Sequence, residues 1–186
     1  TWKGIKKTLG KFTLKAEEGN IKKDEVVTVL GKNGIGKTSF VKVLADVIKS
    51  DEGKIEGEIK VSYKPQYLEA NDELVITTLK KAIDKYKTQL IVPLDLEKLF
   101  TKKLSELSGG QLQRVAIADC LSQDADLFLL DEPSAYLDVE QRLLISKVIK
   151  DIMEDRGKSA MIVDHDLLFA DYLSNRLMVF DGKPAI

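Results

Sequence analysis

The sequence predicts an α/β domain built on a mainly parallel sheet, and three observations carry that expectation. Glycine-bounded, β-branched stretches alternate with segments of helical periodicity. Residues 26–30, apolar but for Thr28, and 127–130, apolar throughout, read as strands covered on both faces. The first run leads straight into a glycine-rich loop, and the second ends on two acids, Asp131 and Glu132.

In chain order, the 26–30 strand and its loop are followed by Phe40, Val43, Leu44 and Val47 at helical spacing, a helix expected to stop near 50–53. Ile55, Gly57, Ile59, Val61 and Tyr63 then alternate with polar residues, which predicts one period-2 strand with an exposed face, ended by Pro65. From 72 to 105 the texture turns lysine-rich, with Leu79, Ile83, Tyr86 and Leu90 at helical intervals and a break at Pro93, the pattern of a small helical lobe. Ser108 opens a further helix whose Leu112, Val115 and Ala116 face inward. After the 127–130 strand comes a long helix with Ile145, Val148, Ile149 and Ile152 on one face, capped by Asp138 with Gln141 and ended by Gly157. A third strand follows at 160–163.

The chain has 186 residues, enough for one well-buried domain, and its 29 Lys and Arg nearly cancel its 30 Asp and Glu, so no global basic field argues for nucleic acid. Single Cys120 excludes an intrachain disulfide, a Cys-ligated zinc site and an iron-sulfur cluster, and is expected simply to pack. No apolar run reaches the ~18 to 20 residues that span a bilayer, and the N-terminus lacks a signal-peptide core, which together predict a cytoplasmic protein with no membrane partner.

Gly31, Gly34, Gly36, Lys37 and Thr38 match G-x-x-x-x-G-K-[ST] between a predicted strand and a predicted helix. Glycines let backbone N–H groups converge on a phosphate, the helix N-terminus and Lys37 add positive potential, and the Thr38 hydroxyl can ligate Mg2+. The 127–130 strand delivers Asp131 beside that metal and Glu132 toward the γ-phosphate, where an ionised Glu132 can polarise a water as general base. "LSGGQLQR", residues 107–114, makes a second helix N-terminus suited to an anion. His165, after the third strand, can hydrogen-bond a γ-phosphate, and Gln66, after Pro65, can reach metal or water through its amide oxygen.

In this order the motifs resemble the nucleotide-binding domain of the ABC ATPases across essentially the whole chain. "DEPSAYLDVEQRL", "YKPQY", "VDHD" and "NRLMVFDGKP" are most similar to the second cassette of the ABCE subfamily, the ribosome-recycling factors of RNase L inhibitor type. The resemblance implies a P-loop NTPase core with a mainly parallel sheet, an antiparallel β part near the N-terminus and a helical subdomain at about 68–122, all within a single domain of residues 1–186 excised from a longer twin-cassette protein. It implies that Gly31, Asn33, Gly34, Gly36, Lys37, Thr38 and Ser39 bind ATP or ADP, and that Thr38, Gln66 and Asp131 hold Mg2+ partly through water. Glu132, His165 and Gln66 carry the hydrolysis, Ser108, Gly109, Gly110 and Gln111 contact the nucleotide of an opposing domain, and Asp138 belongs to the D-loop. For adenine stacking Trp2 and Phe12 are candidates, with core packing the alternative for both. The implied partners are a second ABC cassette, in the parent chain or as a homodimer copy, together with the ribosome and translation termination factors. Lys80, Lys81, Lys85, Lys87, Lys102 and Lys103 form either an RNA-facing surface or a solvated helix face. Two alternatives stay open, the ATPase subunit of a transporter and a nucleotide-binding module inactive without its partner; the short stretch between Gln66 and Ser108 counts against the first.

Overall fold

The apolar runs of the sequence become the centre of a five-stranded parallel sheet. The computed structural model describes residues 1–182 apart from positions 11, 58 and 67, so Tyr67, Lys183 and Pro184, which carry part of the family resemblance, lie outside the described residues. The strands are β1 (Trp2–Leu9), β2 (Phe12–Ala16), β3 (Val26–Leu30), β4 (Glu52–Ile55), β5 (Val61–Lys64), β6 (Leu127–Asp131), β7 (Ser159–Val163) and β8 (Arg176–Val179). Strands β5-β6-β7-β3-β8 form the larger sheet with every neighbouring pair parallel, and β2-β1-β4 form an antiparallel sheet beside it.

Period-2 geometry explains why β6 is apolar from Leu127 to Leu130 and β7 from Ala160 to Val163. Phe128, Leu130, Ala160 and Ile162 enter one core, while Leu127, Leu129, Met161 and Val163 enter the other. The second core is closed by α1 (Lys37–Leu44) through Phe40, Val41, Val43 and Leu44, and by Trp2, Ile5 and Leu14 of the antiparallel sheet. The first is closed by a helical layer. It contains α2 (Val75–Thr78), α3 (Lys80–Lys85), a π-helical turn at Lys87–Ile91, short 3-10 turns, α4 (Gly109–Ser122), α5 (Val139–Arg156) and α6 (Leu167–Leu173). Leu79 and Leu90 are buried there and Ile83 and Tyr86 pack against it, in keeping with their spacing.

Three elements differ from the sequence reading. Helix α1 ends at Leu44 rather than near residue 50, because Asp46 takes a left-handed φ of 57° and the N–H groups of Val47 and Ile48 turn back to the Lys42 carbonyl at 2.9 and 3.2 Å. Val47 is consequently exposed. The single period-2 strand expected from Ile55 to Tyr63 is two strands in two sheets, separated around Gly57 at φ 100°. The expected facing holds only in part: Val61 and Tyr63 pack against the second core, but Ile55 and Ile59 are exposed, and the other face of β5 is covered too, with Ser62 and Lys64 buried under α4 and Ser62 Oγ donating to the Cys120 carbonyl at 2.9 Å. Finally, the inward face of α4 is wider than expected. Val115, Ile117, Ala118 and Leu121 are buried while Ala116 is only half-buried, since α4 has β5 and β6 on one side and α3 and α5 on others.

The caps of α5 fall where the sequence placed them. Asp138 accepts the Gln141 N–H at 2.8 Å, and Gly157 closes the helix at φ 59°. At that C-terminal end Arg156 lies 4.8 Å over the Tyr86 ring and 4.9 Å over the Phe128 ring, and its guanidinium donates to the carbonyls of Leu121 and Gln123 that end α4. Arg156 therefore joins the helical layer to the sheet. Arg156→Met, measured by urea denaturation, is expected to lose about 2–3 kcal/mol of stability, the scale of hydrogen bonds from a charged donor; a loss under about 0.5 kcal/mol would contradict this role.

Candidate functional site

A parallel sheet presents its loops at the carboxyl ends of its strands, and here those ends converge. Strand β3 runs into the 31–36 loop, β5 into Pro65 and Gln66, β6 into Asp131 and Glu132, and β7 into Asp164 and His165. Leu9, Phe12, Asn33, Gly34, Gly36, Lys37, Thr38, Ser39, Gln66, Glu132 and His165 line one cleft of about 470 Å3. Residues 100 positions and more apart in sequence are thus brought to a single opening.

The loop depends on its glycines. Gly31 has φ 152°, and a Cβ there would sit 2.4 Å from Ile35 Cδ1 and 2.6 Å from the Phe180 carbonyl oxygen. Gly36 precedes α1 at φ 95°, and its Cβ would meet the Phe12 ring at 2.8 Å. With only hydrogens at these positions the backbone can wrap an anion while the first-turn N–H groups of α1 remain without helical partners. Lys37 lies almost wholly buried, its ammonium donating to the Gly31 and Lys32 carbonyls at 2.7 and 2.8 Å, which leaves one donor. Burial pulls its pKa below the ordinary lysine value, against the attraction of Glu132, Asp131 and Asp164.

Asp131 is fully buried and does not itself line the cleft; it lies behind Thr38, which does, and neither of its carboxylate oxygens has a hydrogen-bond partner among the described residues. Burial raises its pKa, opposed chiefly by the nearby Thr38 hydroxyl. An orphaned buried carboxylate beside a hydroxyl, with the Gln66 amide at the same opening, is the all-oxygen donor set that suits Mg2+. Glu132, next along the chain, holds a left-handed φ of 46°, which a side chain rarely adopts. Its N–H donates to the Val163 carbonyl at 2.7 Å, and its own carbonyl accepts the Gln113 amide at 2.7 Å. These bonds hold the turn so that Asp131 stays buried while Glu132 lines the cleft.

Asp164 secures the neighbouring loop. It is fully buried, and its carboxylate accepts the Ser134 hydroxyl at 2.8 Å, the Ser134 N–H at 3.1 Å, and the N–H groups of His165 and Asp166 at 2.8 and 3.0 Å. The His165 side chain projects from this anchored turn and is 58% exposed, open to a ligand in the cleft. Asp166 caps α6 through the N–H groups of Leu168 and Phe169 and pairs with Arg142 at 2.5 Å.

Other expected site residues lie elsewhere. Ser108 and Gln111 form a reciprocal capping box at the start of α4, at 3.3 and 3.1 Å. Gly109 and Gly110 pack against Tyr136: a Cβ would stand 3.1 Å from its ring at the first and 3.0 Å from its carbonyl oxygen at the second. This signature segment and Asp138 do not line the cleft. Trp2 is a core residue, edge-on to Phe40 at 5.3 Å between ring centroids and packed over Gly19, so it is not available to stack on a base in the cleft; Phe12 does line the cleft.

The family model for ABC transporters matches residues 14–135. The chain belongs to this family. It is 38% identical over 175 residues to ABC transporter E family member 3 of Arabidopsis thaliana, covering 86% of this chain and 95% of that protein. It is 54% identical over 191 residues to an uncharacterized ABC transporter ATP-binding protein of Methanocaldococcus jannaschii, covering 99% of this chain but only 32% of the relative, so the chain spans about a third of that protein. The structure of the archaeal ribosome recycling factor aABCE1 in complex with the ribosomal stalk protein aP1 matches with a TM-score of 0.94 at 51% identity, over 98% of this chain and 37% of that one. The protein is an ABC ATPase cassette of the E type. Among the described residues, no helix is long and apolar enough to cross a membrane.

Sequence reasoning passed over Asp164, Gln113 and Lys64. For Asp164 a signal was present, an acid immediately after a buried strand; Gln113 and Lys64 are polar residues whose burial only the packing of α4 reveals. Asp164→Asn replaces one acceptor oxygen by a donor among four N–H and O–H groups. It is expected to lower stability by about 2–3 kcal/mol in urea denaturation at neutral pH. Unchanged stability would show that Asp164 does not hold the loop.

Proposed function

We propose that this cassette binds Mg·ATP in the cleft and hydrolyses it in a head-to-tail sandwich with a second cassette, and that the cycle drives ribosome recycling in the cytoplasm. The reading takes residues 1–186 as one cassette with a helical subdomain at about 68–122. The 31–36 loop, Lys37 and the N-terminus of α1 bind the phosphates, with Asn33 and Ser39 at the same loop. Thr38, Asp131 and, through water, Gln66 hold the metal, which when bound neutralises charge on the transferred phosphoryl group. Glu132 orients the attacking water and takes its proton, and His165 hydrogen-bonds the terminal phosphate.

The observation that carries the reading is a separation within the chain. Groups suited to phosphate, metal and water share one cleft, while Ser108–Gln111, a second helix N-terminus, stands apart against Tyr136. Two cassettes in opposite orientation let the signature of each complete the cleft of the other, with the loop around Asp138 between them. Recycling as the purpose of that motion, with the ribosome and termination factors as partners, is supported by the likeness to aABCE1, whose structure was determined with a ribosomal stalk protein.

The test is ATP turnover by the chain and by Glu132→Gln across a protein titration, with light scattering in ATP and Mg2+. Turnover per chain is expected to be weak and to rise steeply with protein concentration. The variant is expected to lose about 100-fold or more of it and to accumulate as an ATP-dependent dimer. Turnover per chain independent of concentration, or equal in the variant, would overturn the shared-site reading.

A further inference from the structure

Lys64 is the last residue of β5 and is 1% exposed, a burial that is unfavourable for an ammonium unless its donors are used. Among the described residues it faces no carboxylate oxygen at hydrogen-bond distance. Its Nζ donates instead to two main-chain carbonyls, that of Asp131 at 2.9 Å and that of Pro65 at 3.0 Å. Topology explains the need for such a donor. The paired register of β5 and β6 ends at Lys64 with Leu130, and Pro65, which has no N–H, leads the chain away, so Asp131 lies one residue past the last pairing. The ammonium supplies a donor that the ladder no longer provides.

Those two carbonyls belong to the two turns that carry the metal side of the cleft. One is the backbone of Asp131 itself; the other lies immediately before Gln66. Burial pushes the Lys64 pKa down to about 8, against the pull of Asp131, Cys120, Asp164 and Glu132, so the acids at the strand ends favour its charged form.

We propose that Lys64 is a positioning residue for magnesium: its ammonium staples the Asp131 turn to the Gln66 turn and sets the separation of their side chains at the cleft. The proposal rests on the reading of Asp131 and Gln66 as metal-side groups. It assigns no proton transfer to Lys64. The lysine acts on the metal only through the backbones it joins, as outer-shell partners do.

The experiment compares the unaltered chain, Lys64→Met and Asp131→Asn for binding of a fluorescent ADP analogue, first without metal and then across a Mg2+ titration, with thermal unfolding of each. Lys64→Met, similar in length but without donors, is expected to keep its metal-free ADP affinity within about 2-fold and to need about 10-fold or more Mg2+ for half-saturation. Asp131→Asn is expected to shift the same midpoint. A folded Lys64→Met with an unmoved Mg2+ midpoint, beside a shifted Asp131→Asn, would overturn the role of Lys64 alone. An unmoved midpoint in Asp131→Asn would overturn the metal-side reading and this proposal with it. Should Lys64→Met fail to fold, the 15N-labelled ammonium of Lys64 is followed by NMR in the unaltered chain: a shift between its ADP and Mg·ADP states supports the staple, and no shift overturns it.

Discussion

The register of β7 between its two neighbours is the constraint on which the rest of the site depends. Val163 pairs with Asp131 on one side and Val29 on the other, so the three strands end level and release the glycine loop, the acidic turn and the Asp164 turn at one edge. A slip of one residue would exchange the two cores and turn Asp131 away from α1. That register is enforced by the fit of alternate side chains to two different cores, Phe128, Leu130, Ala160 and Ile162 in one and Leu127, Leu129, Met161 and Val163 in the other. Site geometry is therefore a product of packing far from the cleft.

Charge follows the same edge. Lys37, Lys64, Asp131 and Asp164 are all buried there, whereas pairs such as Lys3 with Glu56 and Lys60 with Asp124 lie in solvent, where such contacts contribute little. Buried charge is costly wherever it is not used, and each of these four is either tied to main-chain groups or, in Asp131, left with open acceptors toward a cation. The left-handed Glu132 belongs to this arrangement. Its conformation is held by bonds from Gln113 and to Val163, which links the acidic turn to both the signature helix and β7.

What could be read from the sequence was what local chemistry determines. The glycine loop ahead of α1, the apolar strand ending in acid, the caps of α5 at Asp138 and Gly157, and the start of α4 at Ser108 each follow from neighbouring residues, and the fold shows these elements in place. What could not be read was set by the third dimension. Alternation around residues 55–63 suggested one strand, but the layers that cover the chain decide facing, and α4 buries Ser62 and Lys64 rather than the isoleucines. Trp2 looked equally able to stack on a base or fill a core; Phe40 and Gly19 place it in the core. Asp164 stood within a recognised motif and was overlooked because the histidine beside it drew the chemistry, while the turn depends on the aspartate.

The central claim is that the phosphate loop and Asp131 hold one metal–nucleotide unit between them. Its most direct test is electron paramagnetic resonance of Mn2+ titrated into the chain with and without ADP. The account expects a tight Mn2+ site that appears only with the nucleotide and shows hyperfine coupling to its phosphorus atoms. Mn2+ bound equally well without ADP, or bound with no phosphorus coupling, would contradict it.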